Sequence, residues 1–281
     1  MMKRIHFLIC ILGLIAGCSR QPPAGLNGVP ERIISLAPDI TETVYLLGLG
    51  DRLVGATSYC LWPEEAATIP RVGGFGQFNF EAIVTLKPDL VLLHHNYASE
   101  KGRLNDLGIP YLETYTEHID DIINSVRAVG VACGVPKRAE TLTTQMTDQI
   151  SRIRKVDYTP RVLITFGGDA TQIDQIYAFG SDCLHNELLE LAGGTNVVEN
   201  NLAFSTLSRE AVIRLNPEII IQMAPGTQPP ENPVKTWSDY DGISAVKHNR
   251  IYVLTGDYTC IPGPRFTRIL ADFEKILGTY E

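Results

Sequence analysis

The sequence is short of several features that would each settle a function. Its first apolar run, from Ile5 to Gly17, has 13 residues, whereas a membrane-spanning helix needs about 20. There is no low-complexity tract and no long block of like charge, so disorder is not expected beyond the ends. No G-x-x-x-x-G-K-[ST] is present to hold nucleotide phosphates; the glycine-rich Phe166-Gly167-Gly168-Asp169 lacks the lysine. H-E-x-x-H and G-x-S-x-G are missing, which removes the common zinc-protease and serine-hydrolase signatures. The absence of C-x-x-C argues against a zinc ribbon or a thioredoxin-type motif. Basic residues are in deficit: 24 Lys and Arg stand against 32 Asp and Glu, a net charge of −8. An acidic surface does not bind nucleic acid, whose phosphates demand basic patches.

What is present is an ordinary globular balance, 44% hydrophobic and 20% charged over 281 residues, enough for one large domain or two lobes. The start is laid out as a secretory signal over residues 1–17: Lys3 and Arg4, the apolar run, then small residues. Ile15-Ala16-Gly17-Cys18 resembles a bacterial lipobox, which implies that Cys18 is lipidated and becomes the first mature residue. Acyl chains then anchor the chain to a membrane surface, at about 0.8 kcal/mol per buried methylene. Residues 18–29, rich in Pro and Gly, suit a tether. Loss of the leader removes Lys3 and Arg4 and takes the net charge to −10. The expected location is the periplasm or cell surface. Cys60, Cys133, Cys183 and Cys260 then lie in a disulfide-permissive compartment, and spacing alone does not choose their pairing.

Two stretches nearly repeat: EAIVTLKPDLVL from Glu81 and EAVIRLNPEIII from Glu210, 129 positions apart. Each reads as a helix, a proline stop and a buried strand. Around the first copy the pattern predicts strands over 32–36, 53–56, 90–93 and from 110, with helices over 40–47, 80–86 and 101–107. Around the second it predicts strands over 161–165, 196–198, 218–221 and 251–254, with helices over 186–192, 208–215 and 265–277. Alternation of strand and helix implies parallel pairing in two α/β lobes, 30–116 and 159–281. Between them, 117–158 reads as linking helices over 119–131 and 137–156. The second has Leu142, Met146, Ile150 and Ile153 on one face, and its 20 residues would span about 30 Å.

The segments RIISLAPDITET, GATSYCLWPEEA, RVGGFGQFNFEAIVTLKPDLVLL and LSREAVIRLNPEIII, with SYCLWPEEA and TGDYTCIPGPR in the loops, carry a resemblance. The chain resembles the class III substrate-binding proteins of ABC importers over nearly all of residues 30–281, and within that class its cobalamin-binding members. The resemblance implies two Rossmann-like lobes joined by a single long helix, a monomer, and no enzymatic activity. Its ligand would be cobalamin or another metal chelate, held with no cofactor and no resident metal, and its partner an ABC permease dimer with ATPase subunits. It places exposed docking glutamates at Glu81 and Glu210, where a helix N-terminus also favours a carboxylate. It places the ligand between the lobes at the carboxyl ends of the strands, among Pro38, Tyr59, Phe75, His95, Phe166, Phe204 and the loop Asp257, Tyr258, Thr259, Cys260 and Ile261. Aromatic walls with a few polar groups suit a large flat amphipathic ligand.

The chain departs from the cobalamin binders at three of these positions. Phe75 replaces a tryptophan, Cys260 a glutamate and Ile261 an arginine, so a related corrinoid, haem or an iron chelate is the alternative ligand. Ala192 occupies one half-cystine position of the family; a bridge between Cys183, which opens a second-lobe helix, and Cys260, on a rim loop, is expected in its place. An exported metalloenzyme using His94, His95 and Asp257 is the competing reading of another class. His185 and Glu187 read as residues of a solvated helix.

Overall fold

The apolar runs pair into two separate sheets. The structure, a computed structural model, describes residues 25–74, 76–154, 158–167, 175–228 and 230–279. The leader over 1–17, the lipidation site Cys18 and the aromatic Phe75 lie outside the described residues. In chain order the first half holds β1 (Ile33–Ser35), α1 (Pro38–Leu46), β2 (Leu53–Ala56), β3 (Gly73–Gly74), β4 (Gln77–Phe78), α2 (Phe80–Thr85), β5 (Leu90–His94), α3 (Ala98–Asp106) and β6 (Tyr111–Thr114). The link is α4 (Ile119–Ala132) and α5 (Pro136–Ser151). The second half holds β7 (Arg161–Phe166), β8 (Gln175–Phe179), α6 (Leu184–Leu191), β9 (Thr195–Asn196), β10 (Phe204–Ser208), α7 (Arg209–Leu215), β11 (Ile219–Met223), α8 (Ser244–Lys247), β12 (Ile251–Leu254) and α9 (Phe266–Leu277).

The first sheet is parallel throughout, in the order β2-β1-β5-β6. The second runs β10-β8-β7-β11-β12 and is mixed: β11 lies parallel to β7 and β12, while β8 and β10 are antiparallel. The strand expected over 196–198 is reduced to β9, which pairs with the first two residues of β7. No helix among the described residues is long and apolar enough to cross a membrane.

Successive strand residues point to opposite faces, and the cores follow that rule. Ile33, Leu90, Leu92, Val162, Ile164, Ile219 and Ile221 share one continuous apolar cluster with residues of α1, α4, α5, α6 and α9. The alternate residues Ile34, Val91 and Leu93 pack on the far side of the first sheet. Leu163 and Ile220 pack on the far side of the second. Both sheets therefore present one face to a common helical layer. Helix α5 ends at Ser151, short of the expected 156, because the chain turns and the amide of Arg154 donates to Glu274 of α9 at 3.0 Å. At its other end Arg138 of α5 donates to the carbonyls of Leu47 and Gly48 (3.1 and 3.2 Å), closing the C-terminus of α1.

The sequence repeat is a structural repeat down to single hydrogen bonds. Asn79 and Ser208 cap α2 and α7 by accepting from the amides of Ala82 and Ala211. Lys87 and Asn216 both take a left-handed backbone, φ 46° and 44°. Each precedes a proline, which disfavours a further right-handed turn. Asp89 accepts from the amide of Arg32 and Glu218 from that of Arg161, both at 2.9 Å. The guanidinium of Arg32 returns to the carbonyl of Leu86 (2.6 Å), and that of Arg161 to Leu215 (2.8 Å).

Candidate functional site

The carboxyl ends of β6, β7 and β12 converge on a cavity of about 380 Å³. Thr116 and Glu117, just past β6, form its first-half wall. Phe166 at the end of β7, Phe204 at the start of β10, and Phe179 at the end of β8 supply aromatic area from the second half. Asp182, Cys183, Leu184 and His185 enter from the start of α6, Ala203 precedes Phe204, and Cys260 and Pro262 come from the loop after β12. Phe204 and Phe166 are 62% and 45% exposed, a large apolar area left in water. Tyr59, on the loop after β2, is 61% exposed but is not among the residues that line this cavity. Isolated exposed apolar residues are ordinary, but aromatic rings gathered at strand ends mark a ligand surface.

His185 is the polar residue set deepest in the wall, at 4% exposure. Its Nε2 donates to the carbonyl of Thr259 at 2.7 Å, and its ring lies 4.0 Å from that of Phe179. Burial pulls its pKa down to about 4, although the Thr259 carbonyl acts the other way. The imidazole is therefore neutral, with Nδ1 as its lone-pair nitrogen. The expectation of a solvated helix here is overturned. Glu187, two residues on, accepts from the amide of Ile119 at 2.9 Å and so ties α6 to the N-terminus of α4.

Of the residues expected around the ligand, Phe166, Phe204 and Cys260 line the cavity. Thr259 is fully buried behind the wall and accepts from His185. Asp257 turns to Arg265, with two hydrogen bonds of 3.0 Å, and Tyr258 donates to Asp272 at 2.8 Å. Ile261 is half-buried beside them. Pro38 is half-buried as the first residue of α1. His95 stacks on Tyr115 with ring centres 4.4 Å apart and places Nδ1 3.4 Å from Glu117. Thr116, Glu117, Phe179, Asp182, Leu184, His185, Ala203 and Pro262 were not singled out as ligand residues from the sequence.

The expected bridge between Cys183 and Cys260 is not formed. All four cysteines of the described residues are free thiols. Both of these sulfurs belong to the cavity wall, yet each is held by its own turn: Cys183 donates to the carbonyl of Gly180 at 3.4 Å, and Cys260 lies 4.0 Å from the Thr259 hydroxyl. Burial pushes both thiols up, that of Cys260 to about 11, so both stay protonated at neutral pH.

The three residues of the metalloenzyme reading fall into three separate pairs. His94 meets Asp39 at 2.9 Å, His95 meets Glu117, and Asp257 meets Arg265. No group of three or more His, Cys, Asp or Glu among the described residues is placed to hold a metal ion. Glu81 and Glu210 are exposed in the first turns of α2 and α7. A hydrogen bond from its own amide, then one from Ser208 (2.8 Å), hold the Glu210 carboxyl below its usual range.

Two α/β lobes on a shared helical layer, with an aromatic cavity at the strand ends, are the architecture of a substrate-binding protein of the class that serves ABC importers. The chain belongs to the periplasmic binding protein family, whose description matches residues 33–258. It is 31% identical over 247 residues to the ABC transporter substrate-binding lipoprotein YvrC of Bacillus subtilis, covering 84% of this chain and 76% of that one. The vitamin B12-binding protein BtuF of Vibrio cholerae superposes with a TM-score of 0.74 at 25% identity, covering 89% of this chain and 97% of the other. The heme-binding protein RhuT of Roseiflexus superposes at 0.73 and 26% identity, covering 88% and 98%. The relatives are substrate-binding proteins, not enzymes, and the family acts outside the cytoplasm.

Proposed function

We propose that this chain captures cobalamin or a related corrinoid between its lobes and delivers it to an ABC permease dimer driven by ATPase subunits. The observation that carries the reading is the aromatic cavity at the strand ends, with Phe166 and Phe204 left exposed. A corrin ring is a broad plane with an amide fringe; aromatic faces supply area and the wall hydroxyls and carboxylates supply orientation. Thr116, Glu117 and Asp182 are the polar groups available for the fringe. Glu81 and Glu210 are the docking points on the permease, and a lipid on Cys18 holds the chain at the membrane. Docking charges of this kind set registry and on-rate more than affinity.

The test is calorimetric titration of the purified chain with cyanocobalamin, cobinamide, haem and a ferric siderophore. Stoichiometric corrinoid binding without turnover is expected; failure of every corrinoid to bind overturns the reading. One observation favours haem as the second reading: His185 offers a neutral imidazole on the cavity wall, the form that ligates iron. Stoichiometric haem binding with a Soret shift, and no corrinoid binding, would select it.

A further inference from the structure

Among the described residues, the walls of the cavity carry two carboxylates, Glu117 and Asp182, and no lysine or arginine. Three cations of the surrounding elements are already committed. Arg265 is spent on Glu42 and Asp257. Arg71 donates to the carbonyls of Thr57 and Cys60 at 2.8 and 3.1 Å. Lys101 is taken by Glu113 and the carbonyl of His95. The basic partners of the two wall carboxylates among the described residues are imidazoles. Glu117 lies 3.4 Å from His95, with its other oxygen accepting from the amide of Thr116; Asp182 lies 3.7 Å from His118, which also faces Glu187. His185, on the same wall, is neutral.

An anionic ligand group entering such a site meets like charge, with no guanidinium or ammonium among the described wall residues to receive it. Carboxylate recognition ordinarily uses the forked donors of arginine, and like charges set against each other disfavour association. Amide N–H groups or a net positive chelate meet acceptors instead. We infer that this cleft sorts chelates by charge: Glu117 and Asp182, facing a cavity with no lysine or arginine among its described wall residues, admit neutral and cationic chelates and reject those fringed with carboxylates. The inference rests on the metal-chelate reading above and narrows it toward corrinoids with amide side chains and away from haem, whose two propionates are anionic.

The experiment compares cobinamide with cobyrinic acid, which has the same corrin ring but carboxylates in place of the amides. Titrations use the wild-type chain and the Glu117→Gln/Asp182→Asn variant at low and high salt. The expected result is a preference of at least about tenfold for cobinamide, roughly 1.4 kcal/mol. That preference shrinks several-fold in the variant and with added salt. Both side chains are well exposed, so the variant is expected to fold as wild type, and the salt dependence of the wild-type ratio gives the same answer without it. Equal affinities, or a ratio that neither salt nor the substitutions move, overturn the charge inference while leaving corrinoid binding intact. If neither corrin binds, the proposed function falls, and the charge question passes to haem against its dimethyl ester. Tighter binding of the ester upholds the inference, equal or tighter binding of free haem overturns it, and binding of neither overturns both readings.

Discussion

Glu42 on α1 and Arg265 at the start of α9, 223 residues apart in sequence, form a two-point ion pair sealed from water across the two halves. The side chains are 1% and 5% exposed. The Nε of Arg265 donates to Glu42 at 2.9 Å and a second hydrogen bond runs from Nη2. The same guanidinium holds Asp257 and lies 4.5 Å from the Trp62 ring. Removing one partner of a buried pair leaves the other without compensation, at a cost of about 3–5 kcal/mol. Arg265→Met is expected to lower unfolding stability by that order in urea titration. Stability equal to wild type would mean that the pair contributes nothing net.

The pair also gives a signed pH dependence. Burial raises the pKa of Glu42 to about 7 against the pull of Arg265. A carboxyl that holds its proton more firmly folded than unfolded contributes most below its unfolded value and loses that contribution as pH rises through the folded one. The Glu42 contribution is thus complete below about 4.5 and gone above 7. Between those limits wild-type melting temperature should fall with a component that Glu42→Gln lacks. Parallel profiles for the two proteins would contradict this.

His94 and Asp39 work in the opposite sense on the charge of a base. Burial alone would lower the His94 pKa, but the charge and the 2.9 Å hydrogen bond of Asp39 outweigh it and raise the value above 6.5. Stability from this pair is full below the ordinary imidazole value and lost as pH rises through the raised one. The gap between wild type and His94→Gln should be widest below the ordinary imidazole value of about 6.5 and narrow as pH rises through the raised one. A gap that grows with pH would assign the wrong protonation state to the pair.

Much of this fold was legible because it is written locally. The caps Asn79 and Ser208, the prolines after Lys87 and Asn216, and the strand runs that follow are all within one short stretch each. The antiparallel pair β8–β10 was missed because FSTLS is half polar and alternates between exposed and half-buried positions, so no apolar run announces it. His185 was misread for a different reason. Its burial depends on the Thr259 carbonyl, 74 residues away, and nothing around HNELLEL signals that loop. The thiols show the converse error: Cys183 and Cys260 do share a wall, but a disulfide needs directed sulfurs as well as proximity.

Phe204 is the side chain whose loss should separate binding from folding. It stands largely in solvent at the cavity edge, 5.1 Å from the Phe179 ring, so its truncation removes little buried area from the folded chain. Aromatic contacts with a flat ligand contribute about 0.5–1.5 kcal/mol beyond area burial. Phe204→Ala should weaken corrinoid binding about tenfold in calorimetry with an unchanged melting temperature. An equal loss of stability would place the ring in the core instead.

The repeated glutamates make the last prediction, which concerns delivery rather than capture. Glu81 and Glu210 hold the same position after the caps of α2 and α7, and neither lines the cleft. A carboxylate at a helix N-terminus is favoured by roughly 0.3–1 kcal/mol, so each has a local reason to exist and neither alone argues for a partner. Their equivalence in two lobes is what a two-point surface requires. Each single Ala substitution should slow uptake in vesicles containing the cognate permease. The double substitution should nearly abolish uptake, with ligand affinity and melting temperature within about 0.5 kcal/mol of wild type, as for other surface changes. Uptake at full rate in the double variant would confine both residues to capping, and docking would have to be sought elsewhere on the lobes.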